Sequence, residues 1–235
     1  DLSDWEKGIA KMTKAKKTMS IGLAGKYKEL DDAYLSVIEA AKSAGYYHDR
    51  KVNIEWIDTE KIESGDPEEL EKLAQVDAVI VPGGFGNRGI EGKIKVAQYC
   101  RENKKPYLGL CLGSQIMAIE YARNVLGIKE ATTAEMEPEA EHCVIDIMPE
   151  QKKLLAEKKY GNTMRLGAYP AVLKKGSVAQ KAYKSTEISE RHRHRFEVNP
   201  EYVERLAGEG LVFSGKSPDG RLMEIAELPR EDHPF

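Results

Sequence analysis

Short apolar runs alternate along this chain with longer stretches in which apolar residues recur every three or four positions. Met19-Ser20-Ile21-Gly22-Leu23-Ala24 reads as a first strand, closed by Gly25-Lys26-Tyr27. Tyr34, Val37, Ile38 and Ala41 then fall at helical spacing, and Val52 to Ile57 reads as a second strand with imperfect alternation. Asp66-Pro67-Glu68-Glu69 starts a helix. Proline suits a first turn, where its missing N–H is not needed, and the acids meet the positive end of the helix dipole. Asp77-Ala78-Val79-Ile80-Val81 is a continuous apolar run, the pattern of a strand covered on both faces. A helix from Gly89 to Asn103 follows, and Pro106-Tyr107-Leu108-Gly109-Leu110 then runs into Cys111. Strand and helix alternate four times in about 110 residues, which predicts a parallel sheet joined by right-handed crossovers.

Beyond residue 140 the pattern changes to shorter strands: Val144 to Met148, Met164 to Tyr169, Ala171 to Leu173, Phe196 to Val198, Leu211 to Ser214 and Leu222 to Leu228. Ser217-Pro218-Asp219-Gly220 carries the composition of a hairpin turn. Lys152 to Lys159 reads as a solvated helix or loop. Residues 1–17, charged and weakly amphipathic through Trp5, Ile9 and Met12, read as a linker or docking helix ahead of a domain spanning 18–235. The expected fold is α/β, with a mostly parallel central sheet flanked by helices and additional antiparallel strands in the C-terminal half, joined to the edge of the main sheet.

Composition narrows the function classes. With 41% hydrophobic and 32% charged residues, the 235-residue chain has the make-up of a globular protein with a substantial core. A net charge of −3 supplies no electrostatic reason to expect nucleic acid or an anionic membrane as partner. No apolar run approaches the roughly 20 residues that span a bilayer. Three cysteines at unmatched spacings form neither a disulfide framework nor a zinc pattern, which points to a reducing compartment such as the cytoplasm.

The chemistry centres on Cys111. An apolar strand, a glycine two residues before the cysteine (Gly109), another two after it (Gly113) and an immediate helical pattern describe a tight strand–turn–helix elbow. Free N–H groups at the start of such a helix favour a thiolate and can hold an oxyanion. Gly84-x-Gly86-x-x-Gly89 has the form of a dinucleotide fingerprint, but the next strand ends in Leu110-Cys111 rather than in the acid that would hold a ribose. That loop is better read as backbone brought close to whatever Cys111 attacks, with N–H groups of Gly84 and Leu112 as oxyanion donors. In Arg191-His192-Arg193-His194-Arg195-Phe196-Glu197, a single strand would place three arginines on one face and two histidines with Phe196 on the other. An arginine there can clamp a substrate carboxylate. His192 and His194 lack a third ligand cluster, so no metal site is expected. Glu135 reads either as a surface acid or as an acceptor for a substrate ammonium.

Taken together, five segments resemble the class I, triad-type glutamine amidotransferases, specifically the glutaminase domains of CTP synthases. They are Ile21 to Tyr27, Val81 to Gly86, Gly109 to Gln115, Gly161 to Gly167, and Arg191 through Asn199. The last two separate this family from other cysteine-elbow proteins such as γ-glutamyl hydrolases and DJ-1-like proteins. The resemblance implies that Cys111 attacks the side-chain amide of L-glutamine, giving a glutamyl thioester and ammonia. It implies an oxyanion hole at Gly84 and Leu112. It also implies a glutamine site formed by Gly84, Leu112, Gln115, Glu135 and Arg195, with Arg195 on the carboxylate and Glu135 on the ammonium. The domain itself needs no cofactor. ATP and Mg belong to an N-terminal synthase domain that would precede residue 1, aminating UTP within a homotetramer. The family's catalytic His–Glu pair is expected beyond residue 235, with His233-Pro234-Phe235 as the turn before it. On that expectation the chain by itself is a poor glutaminase, and the competing reading is a catalytically silent glutamine-binding or assembly fragment.

Overall fold

A computed structural model of the chain describes residues 2–15, 17–26, 31–147 and 164–229. The apolar runs of the first half pair as β1 (Lys17–Gly25), β2 (Arg50–Asp58), β3 (Ala78–Val81) and β4 (Tyr107–Gly109). All three pairings are parallel and the order is β2-β1-β3-β4. The chain therefore leaves β1 toward one side and returns on the other, putting a switch point between β1 and β3. Ligands in such sheets bind in the crevice at the carboxyl ends of the strands flanking that point.

Period-two alternation sends the two faces of the sheet into different layers. Ile21 and Leu23 of β1 and Ile80 of β3 pack with Tyr34 and Ala41, the latter on α2 (Leu35–Tyr47). Ala24, Val79 and Val81 pack on the opposite side with α3 (Thr59–Ser64), α4 (Pro67–Gln75), α5 (Ile90–Glu102) and α6 (Leu112–Asn124). The helix start at Asp66 has the expected cause, since its side chain accepts from the N–H groups of Glu68 and Glu69. Residues Ser3–Lys14 form a helix, α1, that reaches α2 through Lys11, whose Nζ lies 4.9 Å from the centre of the Tyr47 ring. Arg101 of α5 and the fully buried Glu120 of α6 form a two-pronged ion pair at 2.8–3.0 Å. No helix among the described residues is long and apolar enough to cross a membrane.

The C-terminal half departs from expectation in three ways. Its strands form sheets of their own instead of extending the parallel one. One is β5 (Thr132–Thr133), β6 (Cys143–Ile147) and β9 (Phe196–Val198), in which β5–β6 is parallel and β6–β9 antiparallel. The other is antiparallel, ordered β11-β10-β7-β8, from β7 (Arg165–Leu173), β8 (Glu187–His194), β10 (Val212–Lys216) and β11 (Met223–Glu227). Second, Pro170 does not divide β7. Strand β10 reaches β7 only at Val172 and Leu173, so one edge of β7 is unpaired at Pro170, where proline is tolerated. Third, the basic run is not one strand: it breaks at Arg195 as the chain passes from β8 to β9. Arg191 and Arg193 stay exposed, whereas Arg195 is half-buried. Two helices went unpredicted, α7 (Val178–Tyr183) and α8 (Pro200–Gly208), although Asn199-Pro200 is an N-cap followed by proline at the first position. The hairpin turn at Ser217–Gly220 is present, closed by the Gly220 N–H donating to the Ser217 carbonyl at 2.8 Å. Lys152 to Lys159, Gly161-Asn162-Thr163 and His233-Pro234 lie outside the described residues.

Candidate active site

Cys111 is the N-cap of α6, with φ 52° and ψ −108°, a left-handed conformation that costs a non-glycine residue free energy and recurs at functional positions. The flanking glycines make the elbow possible. A Cβ on Gly109 would stand well inside 3.0 Å of the Gly113 backbone, and one on Gly113 well inside 3.0 Å of the Val81 carbonyl. The Tyr107 hydroxyl, fully buried, donates to the Gly113 carbonyl at 2.8 Å and ties the strand to the helix. In the first turn of α6, Gly113 N–H is spent on the Leu110 carbonyl, and Ser114 and Gln115 N–H on the Cys111 carbonyl. The Leu112 N–H is directed instead at the Cys111 sulfur.

The residue opens onto solvent, yet its sulfur sits in dense surroundings, and these decide its acidity. Burial pushes the thiol above its ordinary value. The Leu112 N–H pulls it down, Glu135 and Glu197 push it up, and the Lys93 ammonium pulls it down. The net direction is upward. The helix start alone does not make Cys111 a thiolate, because burial and two carboxylates outweigh one N–H.

All six residues singled out from the sequence line one cavity of about 150 Å³: Gly84, Cys111, Leu112, Gln115, Glu135 and Arg195. The glycine loop after β3 presses on the elbow, since a Cβ on Gly83 would lie 3.3 Å from the Cys111 Cβ. Gly86 sits at φ 80° and directs its N–H at the Glu135 carboxylate, while Lys26 Nζ donates to the Phe85 carbonyl. Burial raises the Glu135 pKa; the Gly86 N–H, Arg195 and Lys26 oppose that rise. Gln115 Nε2 donates to the Phe196 carbonyl at 3.0 Å, which fixes the side-chain amide against β9 and leaves its oxygen as an acceptor.

The sequence reading missed three features of this region. Phe85, Met164, His194 and Phe196 complete the cavity wall. His194 is engaged at both ring nitrogens, 2.8 Å from His192 Nδ1 and 3.1 Å from the Phe196 carbonyl, within a network that includes Glu197, Glu224 and the buried Arg165. The third feature is Lys93, which lies fully buried beneath the loop and has no hydrogen-bond partner among the described residues. Its Nζ is 3.8 Å from where a Cβ on Gly84 would stand. The helix can come so close because Gly92, next in line, packs against the Thr59 carbonyl where no side chain fits. A signal was present: Lys93 falls on the stripe formed by Ile90, Ile94 and Ala97, where a charge is out of place.

Comparison with known proteins places these features in context. The sequence model of the family described as "Glutamine amidotransferase class-I" matches residues 29–233. The chain is 55% identical over 236 residues to a CTP synthase from Carboxydothermus hydrogenoformans, covering 100% of this chain and 43% of that protein. It is 47% identical over 235 residues to the CTP synthase of Bacillus subtilis, again with 100% and 43% covered. Among solved structures, the glutaminase domain of Trypanosoma brucei CTPS with bound acivicin superposes with a TM-score of 0.79 at 36% identity, covering 89% of this chain and 79% of that one. The chain thus spans less than half the length of the curated relatives it matches.

Proposed function

The chain belongs to the class I glutamine amidotransferase family, and from that premise we propose that it is the glutaminase part of a CTP synthase, hydrolysing L-glutamine to supply ammonia for the amination of UTP. The observation that carries this reading is the convergence of Cys111, on a strained elbow, with Gly84, Leu112, Gln115, Glu135 and Arg195 around one small cavity. These residues come from the ends of β3 and β4, the first turn of α6 and two later connections, after β5 and between β8 and β9.

In the proposed reaction the Cys111 thiolate attacks the side-chain amide carbon, forming the S–C bond and moving charge onto the amide oxygen. The N–H groups of Leu112 and Gly84 receive that charge from fixed positions, without reorganising at the moment of reaction. The C–N bond then breaks, the thioester remains on Cys111, and the departing nitrogen takes up a proton to leave as ammonia. Water cleaves the thioester to glutamate. Arg195 offers a planar fork for the α-carboxylate and Glu135 a carboxylate for the α-ammonium. The ligand's own two charges would replace part of the attraction that Arg195 and Glu135 exert on each other. Proton transfer to the leaving nitrogen needs an acid–base group, commonly worth about 10²–10⁴-fold. His194 is unsuited, with both ring nitrogens already engaged. We assign that step to a His–Glu pair outside residues 1–235. The synthase part, with its ATP and Mg, its tetrameric assembly and its cytoplasmic setting belong to the same proposal.

Two measurements test it. L-Glutamine should raise the melting temperature of the chain, L-glutamate less so, and Arg195→Ala or Glu135→Gln should remove the effect. 6-Diazo-5-oxonorleucine should add a single mass to Cys111, slowed by excess L-glutamine. Labelling of Cys111 that glutamine does not slow, together with no thermal effect of glutamine, would return the site to another class of cysteine chemistry.

A further inference from the structure

We propose that Lys93 is a positioning residue for the nucleophile: its buried ammonium, held under the Gly84 turn, stabilises the negative charge on the Cys111 sulfur and then on the oxyanion that forms beside Gly84. The inference deepens the glutaminase reading and rests on it for the second half of that statement. The first half, the effect on the sulfur, stands on the geometry of the chain alone.

Three observations converge. Lys93 is a lysine with 0% of its surface exposed, and its Nζ lacks a hydrogen-bond partner among the described residues. A buried unpaired ammonium is costly, and a fold retains one only where something offsets the cost. Second, Nζ lies beside the Gly84 backbone, 3.8 Å from the position a Cβ there would take, so the charge sits next to the residue whose N–H is assigned to the oxyanion. Third, the charged groups that bear on it are two: the Lys26 ammonium at the end of β1 repels it, and the Cys111 sulfur attracts it. Around the sulfur, Glu135 and Glu197 oppose ionisation, and among the described residues Lys93 is the full positive charge that favours it there. Burial and Lys26 lower the Lys93 pKa from 10.5 to about 8, so the side chain still carries its charge at neutral pH.

The arrangement also explains why the elbow can work against its surroundings. One N–H from Leu112 does not overcome burial and two carboxylates, and the Lys93 charge offsets part of that rise without filling the cavity. As bond formation moves the negative charge from sulfur to the amide oxygen, the charge stays within reach of the same ammonium. No proton need be exchanged with Lys93.

The test measures the rate of Cys111 alkylation by iodoacetamide from pH 6 to 10 in the 235-residue chain, by intact mass and peptide mapping. Cys100 and Cys143 are buried and serve as internal references. Lys93→Met, close in shape but uncharged, should slow alkylation near neutral pH by about tenfold and move the profile to higher pH, the size expected for loss of a nearby opposite charge. Lys93→Arg, which keeps the charge, should restore most of the rate. Glutamine-induced thermal stabilisation should persist in Lys93→Met, which should melt no lower than the parent. An unchanged pH profile in Lys93→Met would overturn the proposal, and so would a lower melting temperature, since either outcome makes Lys93 a structural residue. If glutamine fails to stabilise even the parent chain, the glutaminase reading falls while the effect of Lys93 on the sulfur is still read from the alkylation profile.

Discussion

Gly109 and Gly113 meet across the elbow with no room for a side chain on either. The Gly113 carbonyl and the Ser114 nitrogen occupy the space a Cβ on Gly109 would need, and the Val81 carbonyl occupies that of Gly113. Because the obstructing atoms are backbone, neither strand nor helix can yield without moving β3 or α6. Gly113→Ala should therefore destabilise the chain by about 2–4 kcal/mol, within the range for overpacking a rigid site. Gly127→Ala, where a Cβ would meet nothing within 4 Å but φ is 74°, separates backbone strain from collision and should cost about 1 kcal/mol. Urea unfolding of the two variants decides between them.

The strain at Cys111 should be measurable as stability. At φ 52°, ψ −108° a Cβ-bearing residue is held in a conformation costing about 1–3 kcal/mol. Cys111→Gly relieves it and should raise the melting temperature by about 2–4 °C for each kcal/mol recovered, while Cys111→Ala, which keeps the Cβ, should not. Equal melting temperatures for the two variants would mean that the elbow is relaxed.

Glu135 links ligand binding to pH. Burial is the largest influence on it and places its pKa above 4.5. Its folded value is thus above its unfolded one, so its contribution to stability is present at low pH and is lost as pH rises through the folded pKa. A substrate ammonium needs the ionised form and works in the opposite direction. Affinity for L-glutamine should therefore fall on acidification, beginning above the ordinary carboxylate range. In Glu135→Gln that pH dependence should be absent. Calorimetric titrations between pH 4.5 and 7.5 would show whether it is.

Lys93 should make the chain less stable than it could be. Between pH 10.5 and its folded pKa of about 8, the unfolded state holds a proton that the folded state has released, so stability rises with pH across that window. Below about pH 8 the full cost applies. Lys93→Met should gain roughly 3 kcal/mol at pH 7, the equivalent of the fall from 10.5 to about 8, in which the Cys111 attraction is already included. The gain should vanish above pH 10, which thermal melts at pH 7 and 10.5 would reveal.

Arg101 and Glu120 provide a control remote from the cavity. Glu120 is fully buried and accepts from Arg101 and from Asn124. Arg101→Met leaves that carboxylate without its counter-charge and should cost about 3–5 kcal/mol, whereas Arg101→Met combined with Glu120→Met should recover most of the loss. Cys111 alkylation should stay unchanged in the double variant once it is folded.

The parts of this protein legible in the sequence are those whose cause is local. Apolar runs such as Asp77 to Val81 declare a covered strand because both faces are buried along their whole length. Asp66-Pro67 declares a helix start because the capping groups are neighbours in the chain, and the glycines around Cys111 declare the elbow because the collision they avoid lies within a few residues. The family resemblance implies Gln115, Glu135 and Arg195, and only the fold shows that they share a cavity, since 80 residues separate the first from the last. Tertiary structure alone decided three things. Arg195 turns toward the cavity because β8 ends one residue before it and the chain changes sheets, a break that an unbroken basic run cannot disclose. The sulfur of Cys111 is less acidic than a helix start implies, because the fold buries it and brings the carboxylates of Glu135 and Glu197, distant in the chain, beside it. Lys93 stands out in the sequence only as a charge on the apolar stripe of α5, and the packing of α5 against α3 is what brings it beneath the glycine loop. Electrostatics in a folded chain sums over distance in space, and sequence order carries little of that information.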